Sequence, residues 1–164
     1  MSLLQWNCNG FFKHIAEIRQ FVSGYETAII CLQETNLKPG DRPNIRGFLC
    51  HRMDRAIVSQ AAGGVAIFVR DDMFSEQYQL QTDLEAVAVC IPMPNRTTIC
   101  NVYLPPGEPI DRVALEDLIQ QLPQPFLLLD DFNAHHPTWG DPKSDAGGGM
   151  IRSEERRVGK ECRL

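Results

Sequence analysis

Hydrophobic and polar positions along the chain follow two patterns, one typical of buried strands and the other typical of amphipathic helices. Short apolar runs bounded by turn-forming residues predict strands, and apolar residues spaced three or four positions apart predict helices. The helical spacing occurs at residues 11–22 and 111–122. The predicted strands cover residues 2–7, 25–32, 47–53, 64–70, 84–92, 97–104 and 125–130. This order predicts an α/β protein.

The order strand, helix, strand occurs twice, at residues 2–34 and again at residues 97–131. In each unit one polar residue closes the first strand and another polar residue follows the second strand. These residues are Asn7 and Glu34 in the first unit, and Tyr103 and Asp131 in the second. Because ligands of open α/β sheets bind at the carboxyl ends of strands, we expect all four side chains to converge in one cleft between two packed sheets.

Length, composition and charge narrow the class of protein. A chain of 164 residues that is 43% hydrophobic can build the core of one domain, which we expect to occupy residues 1–151. Residues 152–164 are highly charged and lack apolar periodicity, so we expect a tail outside the domain, disordered or artefactual. The net charge of −5 argues against a broad basic nucleic-acid-binding face. The sequence contains no apolar run long enough for a membrane span and no secretory signal, so we expect an intracellular protein.

Glu34 and Asn7 are candidate metal-binding residues. Glu34 follows an apolar strand and offers a hard carboxylate ligand for Mg²⁺ or Mn²⁺. The amide of Asn7 can orient a water on the metal or bind a phosphate oxygen. Each residue taken alone could equally be a strand-end cap.

The segment at residues 130–140 carries the densest chemistry in the chain, with the sequence DDFNAHHPTWG. Asp131 can orient or deprotonate a water molecule, and Asn133 can donate a hydrogen bond to a phosphate oxygen. An Asx turn is the alternative for Asp131. Adjacent histidines rarely chelate one ion, so for His135 and His136 we expect loop packing or a substrate contact.

Five motifs in order carry a resemblance to a known superfamily. They are WNCNG at 6–10, LQET at 32–35, GGVAIFVR at 63–70, NVYLPP at 101–106 and DFNAHHPTWG at 131–140. In order and spacing they resemble the endonuclease/exonuclease/phosphatase superfamily. The last motif is similar to the endonuclease domain of animal non-LTR retrotransposons. The resemblance covers residue 3 to about residue 151.

The resemblance implies a four-layered α/β sandwich of the endonuclease/exonuclease/phosphatase type. It also implies that Glu34 binds the metal with help from Asn7, while Tyr103, Asp131 and Asn133 surround the scissile phosphate. The implied reaction is Mg²⁺- or Mn²⁺-dependent nicking of a DNA substrate, in the nucleus if the substrate is genomic DNA. A polymerase domain is expected elsewhere in the full-length polyprotein and is absent from this sequence.

Two departures from the superfamily pattern change the expected activity. Asp130 stands where the family has glycine, and a second carboxylate about 4 Å from a phosphate costs about 1 to 4 kcal/mol, depending on its surroundings. After Gly149 nothing corresponds to the family's Thr-containing strand, its second acidic strand residue or its terminal Ser-Asp-His. We therefore expect an incomplete second sheet with an open edge, little nuclease activity and low stability.

Two alternative functions stay open at this point. The chain could be a noncatalytic degenerate fragment, which the lost carboxyl-terminal motifs favour. It could also be a phosphatase or an abasic-site nuclease of the same superfamily, because substrate specificity lies in loops rather than in the fold.

Overall fold

The computed structural model describes residues 2–55, 63–92, 96–105 and 111–130. Within these ranges the chain forms eight strands and two helices. In chain order they are β1 (Ser2–Asn7), α1 (Ile15–Gly24), β2 (Thr27–Gln33), β3 (Phe48–Met53), β4 (Val65–Arg70), β5 (Glu76–Tyr78), β6 (Glu85–Ile91), β7 (Thr97–Tyr103), α2 (Arg112–Gln121) and β8 (Phe126–Leu129). Neither described helix has the length and apolar character needed to cross a bilayer.

The strands form two four-stranded sheets, each drawn from one half of the described chain. The first sheet has the order β1-β2-β4-β3 and the second has the order β5-β6-β7-β8. The pairs β1/β2 and β7/β8 are parallel, and the other neighbours are antiparallel. In the sequence, α1 lies between the paired strands β1 and β2, and α2 lies between the paired strands β7 and β8. Both predicted strand–helix–strand units are therefore present.

Three apolar clusters lie between the layers of the fold and hold them together. One lies between the sheets and joins side chains of β2 and β4 to side chains of β6 and β7. A second packs α1 against the outer face of the first sheet, and a third packs α2 against the outer face of the second. The order helix, sheet, sheet, helix is the predicted four-layered α/β sandwich. The expected incompleteness of the second sheet concerns residues after 130, outside the described residues, and stays a prediction.

Two local predictions differ from the observed structure. The first helix begins at Ile15 rather than at residue 11, because Phe11 is buried in the turn before the helix and stacks on Phe68 with ring centroids 5.4 Å apart. Strand β5 was not predicted, and its three residues Glu76–Tyr78 are all exposed. A short polar strand at a sheet edge lacks the apolar alternation that strand prediction relies on.

Candidate functional site

The ends of several strands meet at one rim of the sandwich. In the first sheet, Asn7 pairs with Gln33 at the carboxyl ends of β1 and β2, and Gln33 also pairs with Val65 at the start of β4. In the second sheet, the last residue of β7, Tyr103, pairs with the first residue of β6, Glu85. A hydrogen bond from Tyr103 to Glu34 joins these two sets of strand ends, so polar residues of both sheets lie around the same rim.

The carboxylate of Glu34 is the meeting point of the two sheets. Its Oε1 atom accepts a hydrogen bond from Asn7 Nδ2 at 2.9 Å and another from Tyr103 Oη at 2.9 Å. Asn7 and Glu34 belong to the first strand–helix–strand unit and Tyr103 belongs to the second. The structure thus brings together three of the residues that the sequence analysis selected.

The backbone of Glu34 is held in an uncommon conformation. Its φ of 49° lies in the left-handed region, which costs an L-residue about 1 to 2 kcal/mol. Hydrogen bonds from both sides hold this conformation: Gly10 N–H donates to the Glu34 carbonyl at 2.7 Å, and Thr35 N–H donates to the Gly64 carbonyl at 3.1 Å. Strained backbone that persists in this way is concentrated at functional sites.

Tyr103 is a proton-bearing donor in this arrangement. Its pKa is raised above the ordinary tyrosine value, first by burial, then by the hydrogen bond to Glu34 and by the negative charges of Glu34 and Glu85. The positive charge of Arg55 acts in the opposite direction on this pKa. The phenol therefore stays protonated at neutral pH and donates to the carboxylate.

A buried polar network joins the two sheets directly beneath the carboxylate. Asn101 Nδ2 donates to the carbonyl oxygens of Leu32 at 2.9 Å and Ala66 at 3.0 Å, crossing from the second sheet to the first. The side-chain amide of Gln33 donates back to Asn101 Oδ1. Gln33 precedes Glu34, and Asn101 lies two residues before Tyr103 on β7. The network therefore fixes the relative position of the two groups that meet at the rim.

Glu85 forms a second polar anchor at the same rim. It is 9% exposed, accepts a hydrogen bond from Gly64 N–H, and pairs with Arg55 at 3.0 Å between Nε and Oε1. A Cβ atom at Gly63 would collide with the Glu85 carboxylate, so this approach needs glycine. The sequence analysis missed Glu85, Arg55 and Asn101. A polar residue inside or at the end of an apolar strand run is the signal that points to Glu85 and Asn101.

The carboxylate oxygens of Glu34 are hard ligands of the kind that bind divalent cations. Both hydrogen bonds described above end on Oε1, and neither involves Oε2. Within the described ranges no group of three His, Cys, Asp or Glu side chains is placed to hold an ion. Mg²⁺ commonly binds through one or two carboxylates, with waters and substrate phosphates completing its shell. The carboxylate of Glu34 could supply one ligand of this kind.

Asp130 directly follows the last residue of β8. Its carboxylate oxygens are shielded from solvent, and its negative charge, after burial, is the second cause that raises the pKa of the Cys100 thiol to about 12. Cys100 belongs to the cluster between the second sheet and α2, whereas Tyr103 belongs to the cluster between the sheets. In β8, Phe126 and Leu128 pack on the helix side and Leu129 packs between the sheets, so continuation of this alternation directs Asp130 toward the helix side.

The remaining predicted site residues, Asp131, Asn133 and His135, lie outside the described residues. The same holds for the predicted domain boundary at residue 151 and for the tail at 152–164. Their positions and roles stay predictions.

Solved structures with the same fold include nucleases and a phosphatase. The endonuclease domain of TRAS1, a telomere-specific non-LTR retrotransposon, superposes with a TM-score of 0.71 at 26% identity, covering 92% of this chain and 69% of that one. The 3'-5' exonuclease NExo from Neisseria meningitidis superposes with a TM-score of 0.69 at 19% identity, covering 93% of this chain and 69% of that one. At 19% identity the second likeness shows the fold alone.

The sequence relatives are proteins of mobile elements. The probable RNA-directed DNA polymerase from transposon X-element of Drosophila melanogaster is 25% identical over 153 residues, covering 90% of this chain and 17% of the relative. The RNA-directed DNA polymerase from mobile element jockey of the same species is 25% identical over 160 residues, covering 90% and 16%. The chain thus spans a small part of these relatives. The model of the Endonuclease/Exonuclease/phosphatase family matches residues 4–161, and the chain belongs to that family.

Proposed function

We propose that the chain is an endonuclease segment that nicks DNA by metal-dependent phosphodiester hydrolysis at the Glu34 site. The observation that carries the proposal is the shared Oε1 atom of Glu34, which receives one donor from each sheet. Membership of a family of endonucleases, exonucleases and phosphatases supports phosphodiester chemistry. The likeness to a retrotransposon endonuclease domain supports DNA as the substrate.

In this proposal each polar residue has a separate task. Glu34 holds Mg²⁺ or Mn²⁺, and Asn7 orients the Glu34 carboxylate. When bound, the cation supplies positive charge to the phosphate and favours ionisation of a nearby water. Tyr103 keeps its proton and fixes Glu34 from the opposite sheet. We assign to Asp131 the acceptance of a proton from the attacking water.

Two further assignments concern the phosphate itself. Asn133 donates a hydrogen bond to a phosphate oxygen, and His135 contacts the substrate; both roles are proposals for residues outside the described ranges. The orientation of Asp130 toward the helix layer reduces its expected repulsion of the phosphate. In a protein like the polymerase-bearing relatives, the nick would provide a DNA end for synthesis, which for genomic DNA requires a nuclear location.

The first test measures the cation, because it does not depend on turnover. Isothermal titration of Mg²⁺ into the wild-type chain is compared with titration into Glu34→Gln. Glu26→Gln is the matched control, since Glu26 lies just before β2 and Glu34 just after it. We expect Glu34→Gln to lower Mg²⁺ affinity at least about tenfold, because it replaces the charged ligand with a neutral amide. Equal affinities in all three proteins would contradict the assignment of Glu34.

The second test identifies the substrate class. Supercoiled plasmid, a duplex with an abasic site, and inositol phosphates are offered with Mg²⁺ or with EDTA. Because we expect little nuclease activity from this chain, the predicted result is slow Mg²⁺-dependent conversion of supercoiled plasmid to open circles, lost in Glu34→Gln and retained in Glu26→Gln. Turnover restricted to the abasic duplex or to inositol phosphates would replace the DNA-nicking proposal. Mg²⁺ binding without turnover of any substrate would favour the noncatalytic alternative.

A further inference from the structure

Arg55 lies at the same rim as Glu34, and the proposed reaction assigns no role to it. It follows β3, whose last residue Met53 pairs with Val65 at the start of β4. Gln33, the last residue of β2, pairs with the same valine. Glu34 and Arg55 thus lie just beyond the rim ends of β2 and β3, the two strands that flank β4 in the first sheet.

The guanidinium is held by a buried acid. Arg55 Nε and Glu85 Oε1 form an ion pair at 3.0 Å, and the Glu85 side chain is 10% exposed while the Arg55 side chain is 34% exposed. Glu85 is fixed in turn by the Gly64 N–H. A guanidinium carries five N–H donors in a rigid fork, and this contact is made at its Nε atom. The pair therefore sets the direction of a cationic group that still reaches solvent.

Electrostatic contact links this group to the candidate active site. Glu85 pairs with Tyr103 across β6 and β7, and the charge of Arg55 acts on the Tyr103 phenol. That phenol donates to Glu34. The arginine therefore acts on a residue that itself contacts the proposed cation ligand.

Other arginines in the described ranges have different surroundings. Arg52 Nη2 donates to the Asp41 carbonyl at 3.0 Å and pairs with Asp54 at 3.2 Å, so it ties down the loop before β3. Arg70 pairs with Asp72 at the far end of β4. Neither is placed beside Tyr103.

We propose that Arg55 binds a backbone phosphate adjacent to the scissile phosphate, with Glu85 as its positioning residue. The inference rests on the proposed function, since it assumes a substrate with more than one phosphate. A protein with net charge −5 needs local cations to hold a polyanion, and arginine matches phosphate geometry through paired N–H donors. Arg55 thus favours a polynucleotide over a phosphate monoester.

The test measures the salt dependence of binding. Fluorescence anisotropy of a short fluorescein-labelled DNA duplex is followed in Mg²⁺ over a series of NaCl concentrations, with wild type, Arg55→Gln, Arg55→Lys and the matched control Arg70→Gln. Loss of one phosphate contact reduces the slope of log affinity against log salt by about 0.9. We expect this reduction and an affinity loss of about tenfold in Arg55→Gln only. Arg55→Lys should keep the slope, because it keeps the charge.

A second measurement uses only the wild-type protein, so its result does not depend on whether the variants fold. Phenylglyoxal modification of arginines, read by mass spectrometry, should slow at Arg55 when the duplex is added and stay unchanged at Arg70. Equal slopes in Arg55→Gln and Arg70→Gln, or no protection of Arg55, would overturn the inference and leave the Glu34 assignment standing. Failure of the wild type to bind duplex at any salt concentration would overturn the proposed function and this inference together.

Discussion

Replacing Asn101 with leucine removes the polar link between the two sheets. Asn101 has no exposed surface, donates to the Leu32 and Ala66 carbonyls, and accepts from the Gln33 amide. Leucine has the same number of side-chain heavy atoms and the same branching at Cγ, so the change removes hydrogen bonds without opening a cavity. Asn101→Leu therefore isolates the energetic contribution of this network.

The expected cost follows from the bonds that are lost. Three hydrogen bonds at about 1 kcal/mol each give about 3 kcal/mol. Gln33 Nε2, in a residue with no exposed surface, loses its Asn101 acceptor, which adds about 1 to 3 kcal/mol. The apolar leucine side chain recovers about 1 to 2 kcal/mol. We expect a net loss of about 3 kcal/mol, a large part of the 5 to 15 kcal/mol that is typical of a domain.

Urea unfolding followed by circular dichroism measures this free energy. Asn44→Leu is the matched control, because Asn44 is exposed and surface substitutions change stability by about 0.5 kcal/mol or less. The double variant Gln33→Leu with Asn101→Leu should cost less than the sum of the two single variants, because the second change removes an amide that already lacks its acceptor. A cost below about 1 kcal/mol for Asn101→Leu, or additivity within about 0.5 kcal/mol, would refute the reasoning.

Two other changes test the backbone and the proton balance of the site. Gly64→Ala should destabilise the protein by about 3 kcal/mol in urea unfolding, since φ is +81° and the new Cβ would lie 2.9 Å from Thr35 Oγ1. The control Gly47→Ala, with φ of +82° and no atom within 4 Å of the new Cβ, should lose only about 1 kcal/mol. Equal losses in the two variants would contradict the steric argument. Because the pKa of Tyr103 is raised on folding, the folded state keeps a proton that the unfolded state releases near pH 10. The free energy of unfolding should therefore fall above about pH 10, by up to about 1.4 kcal/mol per pH unit, and less steeply in Tyr103→Phe; parallel pH profiles would count against the raised pKa.

The fold could be predicted from the sequence because its signals are local. Each strand–helix–strand unit has its own apolar periodicity, and both units are present as parallel strand pairs with an intervening helix. The polar residues at the ends of the units pointed to Asn7, Glu34 and Tyr103, which lie together in the structure. Strand ends are readable because the change from apolar to polar residues occurs there.

The connections between distant segments could not be predicted in this way. Asn101 contacts residues 35 to 69 positions away along the chain. Arg55, which follows a strand of the first sheet, pairs with Glu85, which begins a strand of the second sheet. A single sequence shows that such residues are polar but does not show which partner each one meets. The direction of the Asp130 side chain could not be predicted either, because it depends on which residues of β8 face the helix and which face the other sheet.

The split of the chain between the two sheets has a consequence for biosynthesis. Residues 2–70 contain every strand of the first sheet, and residues 76–129 contain every described strand of the second. A nascent chain that has released only its first seventy or so residues from the ribosome thus has the Glu34 carboxylate without the phenol that caps it. The contact between Glu34 and Tyr103, and with it the proposed ion-binding site, can therefore form only after the second sheet has been synthesised and has packed on the first.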